Sequence, residues 1–210
     1  MGNKTIYLIR HGETEYNRLG IVQGSGIDSS LNDVGIAQAD AFFQTYQYVP
    51  FDKIYTSALK RTIETAQPFI DLKIPHQQLS GLNEISWGEK EGKVPNYQQD
   101  GDYKDLITAW KNGDFTAAAP GGESPEQVVQ RQREALKTIL DDNDEELILV
   151  VMHGRALRIL LTHLTEQPIS AMDTFHHSNV CLYKLTFNAE TEEIKIVVAN
   201  DTSHLMMVHG

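Results

Sequence analysis

Apolar positions in this chain follow two alternating rhythms. Short unbroken runs, "TIYLI" ending at Ile9, "KIYTS" ending at Ser57 and "ELILVVM" ending at Met152, read as buried strands. Between them the spacing changes to threes and fours. A helix beginning near Asn32 is predicted to bury Ile36, Ala39, Phe42, Phe43 and Tyr46, and one from Ser124 to bury Val128, Val129, Leu136, Ile139 and Leu140. Further helical patterns start at Ala58 and Gly154. Strand and helix in alternation predict an α/β fold with a mostly parallel sheet. The pattern changes at the carboxyl end, where "VCLYKLTF" and "EIKIVVA" are joined by the turn "NAETE". That pair predicts an antiparallel hairpin at one edge, so the sheet is mixed.

Between Gly92 and Glu123 the periodicity weakens, apart from a helical stretch around Tyr103 to Lys111. The expectation is a single domain over 1–210 with a lid or insertion around 93–123. A chain of 210 residues is long enough to bury about 70% of its unfolded surface. Its 18 Lys and Arg against 29 Asp and Glu give a net charge of −11, a field that repels nucleic acid. An anionic ligand therefore needs cations placed locally. Cys181 is the only cysteine and lies in an apolar run, which suits a reducing, cytoplasmic setting. No arginine stands six residues beyond it, so a thiolate phosphatase loop is not indicated. The opening "MGNKTIYL" has no basic segment followed by an apolar one, and Ile6 stands where myristoylation needs Ser or Thr. The longest apolar run, "LILVVM", is far short of the ~20 residues of a membrane span.

The chemistry sits at the strand ends. "YLIRHGE" and "VVMHGRA" share one pattern, an apolar strand, then His-Gly, then a helix, which places His11 and His153 at the carboxyl ends of two parallel strands. Ligands of open α/β sheets bind at that edge. Ser57 ends a third strand as a predicted helix N-cap, and Arg61 falls in the first turn of the helix that follows. Arg10 and His11 at the end of a core strand carry a desolvation cost that calls for a partner. Helix amino termini after Gly12, Ser57 and Gly154 are expected to add free N–H groups. Two arginines, two histidines and helix dipoles at one edge describe a pocket for an anion, and suggest phosphoryl chemistry.

With Gln23 and Gly24, the segments "LIRHGETEYN", "SALKRTIETA", "LNEISWGEKEG", "GGES" and "VMHGRALR" resemble the histidine phosphatase superfamily, in its phosphoglycerate mutase-like branch. The resemblance extends from about Tyr7 to "NDTSHL" at Asn200 to Leu205. It implies a three-layer α/β/α sandwich. It also implies that His11 is a nucleophile forming phosphohistidine, that Arg10 and Arg61 clamp the phosphoryl oxygens, that His153 is the second pocket histidine, and that Glu84 is the general acid. A carbonyl near Gly12 would hold the tautomer of His11, Gly12 leaving room for the close approach. The three equatorial oxygens would then meet Arg10, Arg61 and His153. Gly12, Thr14, Asn17, Gln23 and Gly154 are implied as substrate-binding positions.

The function expected from the resemblance is a metal-independent phosphatase for small phosphomonoesters, with no cofactor. A cofactor-dependent phosphoglycerate mutase is the alternative. Against it, "EISWG" stands where mutases carry an "ERHYG"-like run, and the lid segment offers only Lys93, Lys104 and Lys111. A phosphate-binding sensor without turnover is a third reading. His76, His163, His176, His177, His204 and His209 are expected to be ordinary structural or surface residues, and the adjacent His176 and His177 have poor metal-ligand spacing. Acidic "DDNDEE" at Asp141 to Glu146 is expected to be a solvated turn, Glu13 a helix first-turn residue, and Glu91 a partner for a loop cation. Ile21 occupies a position where many relatives have arginine, while Trp87, Tyr97, Tyr103 and Trp110 are candidates for an aromatic wall.

Overall fold

In the computed structural model, residues 2–94, 101–141 and 144–206 are described, with only the backbone of 101 and 102. Tyr97, His209, part of the acidic turn and part of the 93–123 segment lie outside them. Six strands form one sheet, β1 (Lys4–Arg10), β2 (Lys53–Thr56), β3 (His76–Gln78), β4 (Leu147–Met152), β5 (Leu182–Asn188) and β6 (Glu193–Asp201). Their order is β3-β2-β4-β1-β5-β6. The first four positions in that order are parallel, and β5 and β6 run antiparallel. This is the mixed sheet read from the apolar runs.

The helices are α1 (Glu15–Arg18), α2 (Asp33–Tyr46), α3 (Lys60–Asp71), α4 (Gly101–Lys111), α5 (Pro125–Asp141) and α6 (Gly154–Leu164). Alternate residues of each central strand face opposite sides. Tyr7, Ile9, Ile54, Leu149 and Val151 pack with Phe42 of α2 and Ala66 and Phe69 of α3. Ile6, Leu8, Ile148, Val150 and Met152 pack with Leu136 and Ile139 of α5 and Leu157 and Leu160 of α6. Helices on both faces make the three-layer α/β/α sandwich. Each large apolar side chain so buried contributes about 1.5–3 kcal/mol. Among the described residues no helix is long and apolar enough to cross a membrane.

Several local expectations fail for identifiable reasons. Ile36 is 51% exposed, because α2 turns Gly35, Gln38, Ala39 and Phe42 inward instead. Ser57 is not the cap of α3. That position is Leu59, without a side-chain bond, and the Ser57 hydroxyl accepts from the Leu59 N–H at 3.1 Å. Glu13 lies before α1, whose N-cap is Thr14. It is explained by Asn32, whose Nδ2 donates to Glu13 Oε1 at 2.8 Å.

The loop after β1 rests on α2. A Cβ on Gly12 would stand 2.5 Å from the Gly35 carbonyl oxygen, and one on Gly35 would stand 2.7 Å from the Glu13 nitrogen. The close approach that Gly12 permits is thus to Gly35, and it fixes the residue following His11. Gly35→Ala is expected to lower unfolding free energy by about 1–3 kcal/mol, the usual cost of overpacking. Chemical denaturation measures this, and an unchanged midpoint would contradict the contact.

Candidate active site

Register brings the two histidines together. Arg10 pairs with Met152 across the parallel β1 and β4, so His11 and His153 are the next residues on adjacent strands. Their ring centroids lie 5.1 Å apart. His11 is 2% exposed, and its Nδ1 lies 2.7 Å from the carbonyl oxygen of Gly12. A carbonyl only accepts, so Nδ1 carries the proton and Nε2 keeps its lone pair, with no protein partner among the described residues. Burial, then Arg61 and Arg10, hold the imidazole well below its ordinary pKa, which keeps it neutral near pH 7.

Arg61 is fully buried on the first turn of α3. Its Nη1 donates to the carbonyl of Ile27 at 2.7 Å and its Nη2 to that of Gly24 at 3.2 Å. Its Nε donates to His153 Nδ1 at 3.2 Å. Because Nδ1 accepts, His153 is protonated at Nε2, which donates to the Ser57 hydroxyl at 2.7 Å. Burial and Arg61 also push His153 well below its ordinary pKa. Both of its ring nitrogens are therefore engaged by protein groups, Nδ1 by Arg61 and Nε2 by Ser57. Arg10 donates through Nη1 to the carbonyl of His177 at 2.7 Å, while its Nε is buried without a partner among the described residues.

Glu84 reaches this edge from the loop after β3. Its carboxylate accepts from the backbone N–H groups of Arg155 (3.0 Å) and Ala156 (2.8 Å) in the first turn of α6, and from its own neighbour Ile85 (2.9 Å). It faces both guanidinium groups, Arg10 and Arg61. The amino terminus of α6 thus holds a protein carboxylate where free N–H groups were expected. That of α3 is engaged likewise, the Lys60 N–H donating to Asp28 at 2.7 Å. The helix after Gly12 is a single turn, and the Gly12 N–H donates to Thr65 at 3.0 Å instead of facing a ligand.

A cleft of about 370 Å³ opens here, lined by Arg10, Asn17, Gln23, Glu84, Gly154 and His177, with Ile21, Val22, Trp87 and Tyr103 as its apolar part. Thr14 is fully buried and caps α1 with Asn17. It lies within 3.3 Å of the Gln23 amide, so it orders two cleft residues from behind. Glu91 accepts from the Trp87 and Gly26 N–H groups, bracing the loop whose carbonyls hold Arg61.

Some functional neighbours escaped the sequence reading. His177 lines the cleft, and a Cβ on Gly154 would come within 2.5 Å of its ring. Asn179 donates to the carbonyl of His11 at 3.0 Å. A signal for both existed. A strand antiparallel to β1 begins where β1 ends, so the residues just before "CLYKLTF" land at the edge that holds His11. The local sequence of Ser57 predicts a cap, and nothing in it marks the residue as the partner of His153.

A family model described as the histidine phosphatase superfamily (branch 1) matches residues 6–202. The putative phosphoserine phosphatase 2 of Hydrogenobacter thermophilus is 29% identical over 202 residues, covering 96% of this chain and 97% of that protein. The 6-phosphofructo-2-kinase/fructose-2,6-bisphosphatase 3 of Rattus norvegicus is 31% identical over 207 residues. That match takes in 96% of this chain but spans only 35% of the rat protein. Among solved structures, Bacillus stearothermophilus YhfR superposes with a TM-score of 0.85 at 29% identity, covering 96% of this chain and 99% of that one.

Burial and the neighbouring Arg10 push His177 from 6.5 down to about 3. The unfolded chain gains a proton there as pH falls through 6.5, and the native chain does not until about 3, so native stability declines across that window. His177→Gln is expected to make unfolding free energy fall less steeply than in the wild type between pH 7 and 5, read by denaturant titration. Parallel slopes would contradict this environment.

Proposed function

The chain belongs to the histidine phosphatase superfamily, and on that footing we propose that it hydrolyses small phosphomonoesters through a phosphohistidine at His11. The observation that carries this reading is a neutral imidazole, its Nδ1–H bound to the Gly12 carbonyl, under the charge of two nearby guanidinium groups. Nε2 attacks phosphorus in line with the ester oxygen. Arg10 and Arg61 meet the charge on the equatorial oxygens, so catalysis is mostly positioning and electrostatics. Arg10 Nε, enclosed and without a partner among the described residues, has a donor to give. His153 acts through Arg61, accepting from Nε so that the guanidinium is aimed before substrate arrives.

Glu84 supplies the proton that the departing alkoxide takes up, then removes one from the water that attacks the phosphoenzyme. Asn17 and Gln23 contribute neutral contacts from the cleft wall, and Gly154 leaves the space that His177 and Arg10 occupy. Nucleophile, charge stabilisation and proton transfer all come from side chains, and the reaction so written needs no metal or organic cofactor. The lid expected around 93–123 is proposed for its described residues 103–123. Supporting this, Tyr103 meets Trp87 at the apolar side of the cleft with ring centroids 5.5 Å apart, and buried Trp110 packs against Trp87 at 5.5 Å. A cytoplasmic location suits the lone thiol, Cys181, which burial pushes up to about 11 and keeps unreactive.

His11→Ala is expected to fold and to release no phosphate from a broad phosphomonoester panel, and normal turnover would remove the nucleophile assignment. Glu84→Gln is expected to slow alkyl esters by about 10² to 10⁴ and activated aryl phosphates much less. Equal losses on both would exclude Glu84 as the proton donor. Wild-type activity is expected to survive a chelator, and strong inhibition would overturn the metal-free reading.

A further inference from the structure

We propose that Arg131, paired with Glu123, is a positioning residue that sets Glu84 for proton transfer, acting through the backbone of residues 81–86. The inference rests on Glu84 being the proton donor. Arg131 lies on α5, outside the cleft lining, and uses all five guanidinium N–H groups on this one loop and its carboxylate partner. Nη1 donates to the carbonyls of Gly81 and Asn83, each at 2.8 Å, and Nη2 to that of Glu84 at 3.0 Å. Nε and Nη2 form a two-pronged pair with the Glu123 carboxylate at 2.9 and 3.0 Å.

Glu123 completes the clamp. Its Oε2 accepts from the Ser86 N–H at 2.8 Å, and its own N–H donates to the Ser86 carbonyl at 2.8 Å. The loop lies flush on α5, since a Cβ on Gly81 would stand 2.5 Å from the Arg131 carbonyl oxygen. Glu84 is thereby held from two sides. Arg131 fixes its backbone, and the first turn of α6 fixes its carboxylate. Only a planar fork with five donors can serve three carbonyls and a carboxylate at once, so lysine is no substitute. A shift of about 1 Å in a catalytic group costs up to about 100-fold.

A merely structural clamp would slow every substrate alike, whereas one that aims a proton donor matters where the leaving group needs a proton. The test compares glycerol 3-phosphate, with a basic alkoxide leaving group, and p-nitrophenyl phosphate, whose leaving group departs unaided. Arg131→Met is expected to lower kcat/KM on the alkyl ester by about 10- to 100-fold and to raise the aryl-to-alkyl ratio by about 10-fold. Arg131→Lys is expected to recover little of that ratio. In a Glu84→Gln background, Arg131→Met is expected to change alkyl hydrolysis by less than about 3-fold, because the group it positions is gone.

Equal losses on the two esters, or losses that multiply in the double variant, would overturn the proposal. Should Arg131→Met fail to fold, Glu123→Gln keeps one acceptor for Nε and is expected to raise the same ratio, and an unchanged ratio there counts against it. If Glu84→Gln alone shows no leaving-group dependence, the acid assignment itself fails, which separates the two claims.

Discussion

Two guanidinium groups are enclosed at the carboxyl edge of the sheet without a carboxylate hydrogen-bonded to either among the described residues. Arg61 is held by two loop carbonyls and an imidazole, and Arg10 by one carbonyl. Desolvating a cation in this way is costly, and burial lowers Arg61 to about 10. The rest of the site follows from that cost. Both histidines stay neutral because burial disfavours their charged forms, and a third and fourth positive charge beside the arginines would add to that cost. Glu84 is the acidic group that acts on both arginines, and a phosphate dianion would relieve the cost. On a chain of net charge −11, this is a local inversion of sign.

The sheet makes such an arrangement reproducible. Parallel register aligns the ends of β1, β2 and β4, so Arg10-His11, Ser57 and His153 emerge at one level. Antiparallel β5 starts at the same level and brings Asn179 to the carbonyl of His11. Loops that would otherwise move are tied to rigid elements, Gly12 to α2, residues 24–27 to Arg61 and Glu91, and residues 81–86 to α5. The hydrogen-bond chain Arg61, His153, Ser57, Thr62 runs wholly through buried atoms, so its members set one another's tautomer and orientation.

Much of this was legible in the residues. Central strands show as apolar runs because both faces are covered, and the edge hairpin shows as a turn between two β-rich segments. The paired His-Gly turns locate the edge where His11 and His153 meet, since the register aligns Arg10 with Met152. Contacts between distant segments were not legible. Ile36 carries the helical period yet faces outward, because small Gly35 and Ala39 and polar Gln38 form the close seam. The engagement of His153 by Ser57 depends on which way a ring turns in three dimensions. His177 looked like a surface residue because adjacent histidines suit no helix or metal, and only its strand register brings it to the cleft. Arg131 reads as one polar residue among many on an amphipathic helix.

The most direct measurement is the linkage of phosphate in the trapped phosphoenzyme. Rapid acid-free quenching with a labelled phosphomonoester, followed by peptide mapping and phosphorus-nitrogen NMR, distinguishes the two ring nitrogens. With Nδ1–H committed to the Gly12 carbonyl at 2.7 Å, phosphate is expected on Nε2 of His11 alone. Phosphate on Nδ1, on His153 or on any other residue would contradict the tautomer and the nucleophile together.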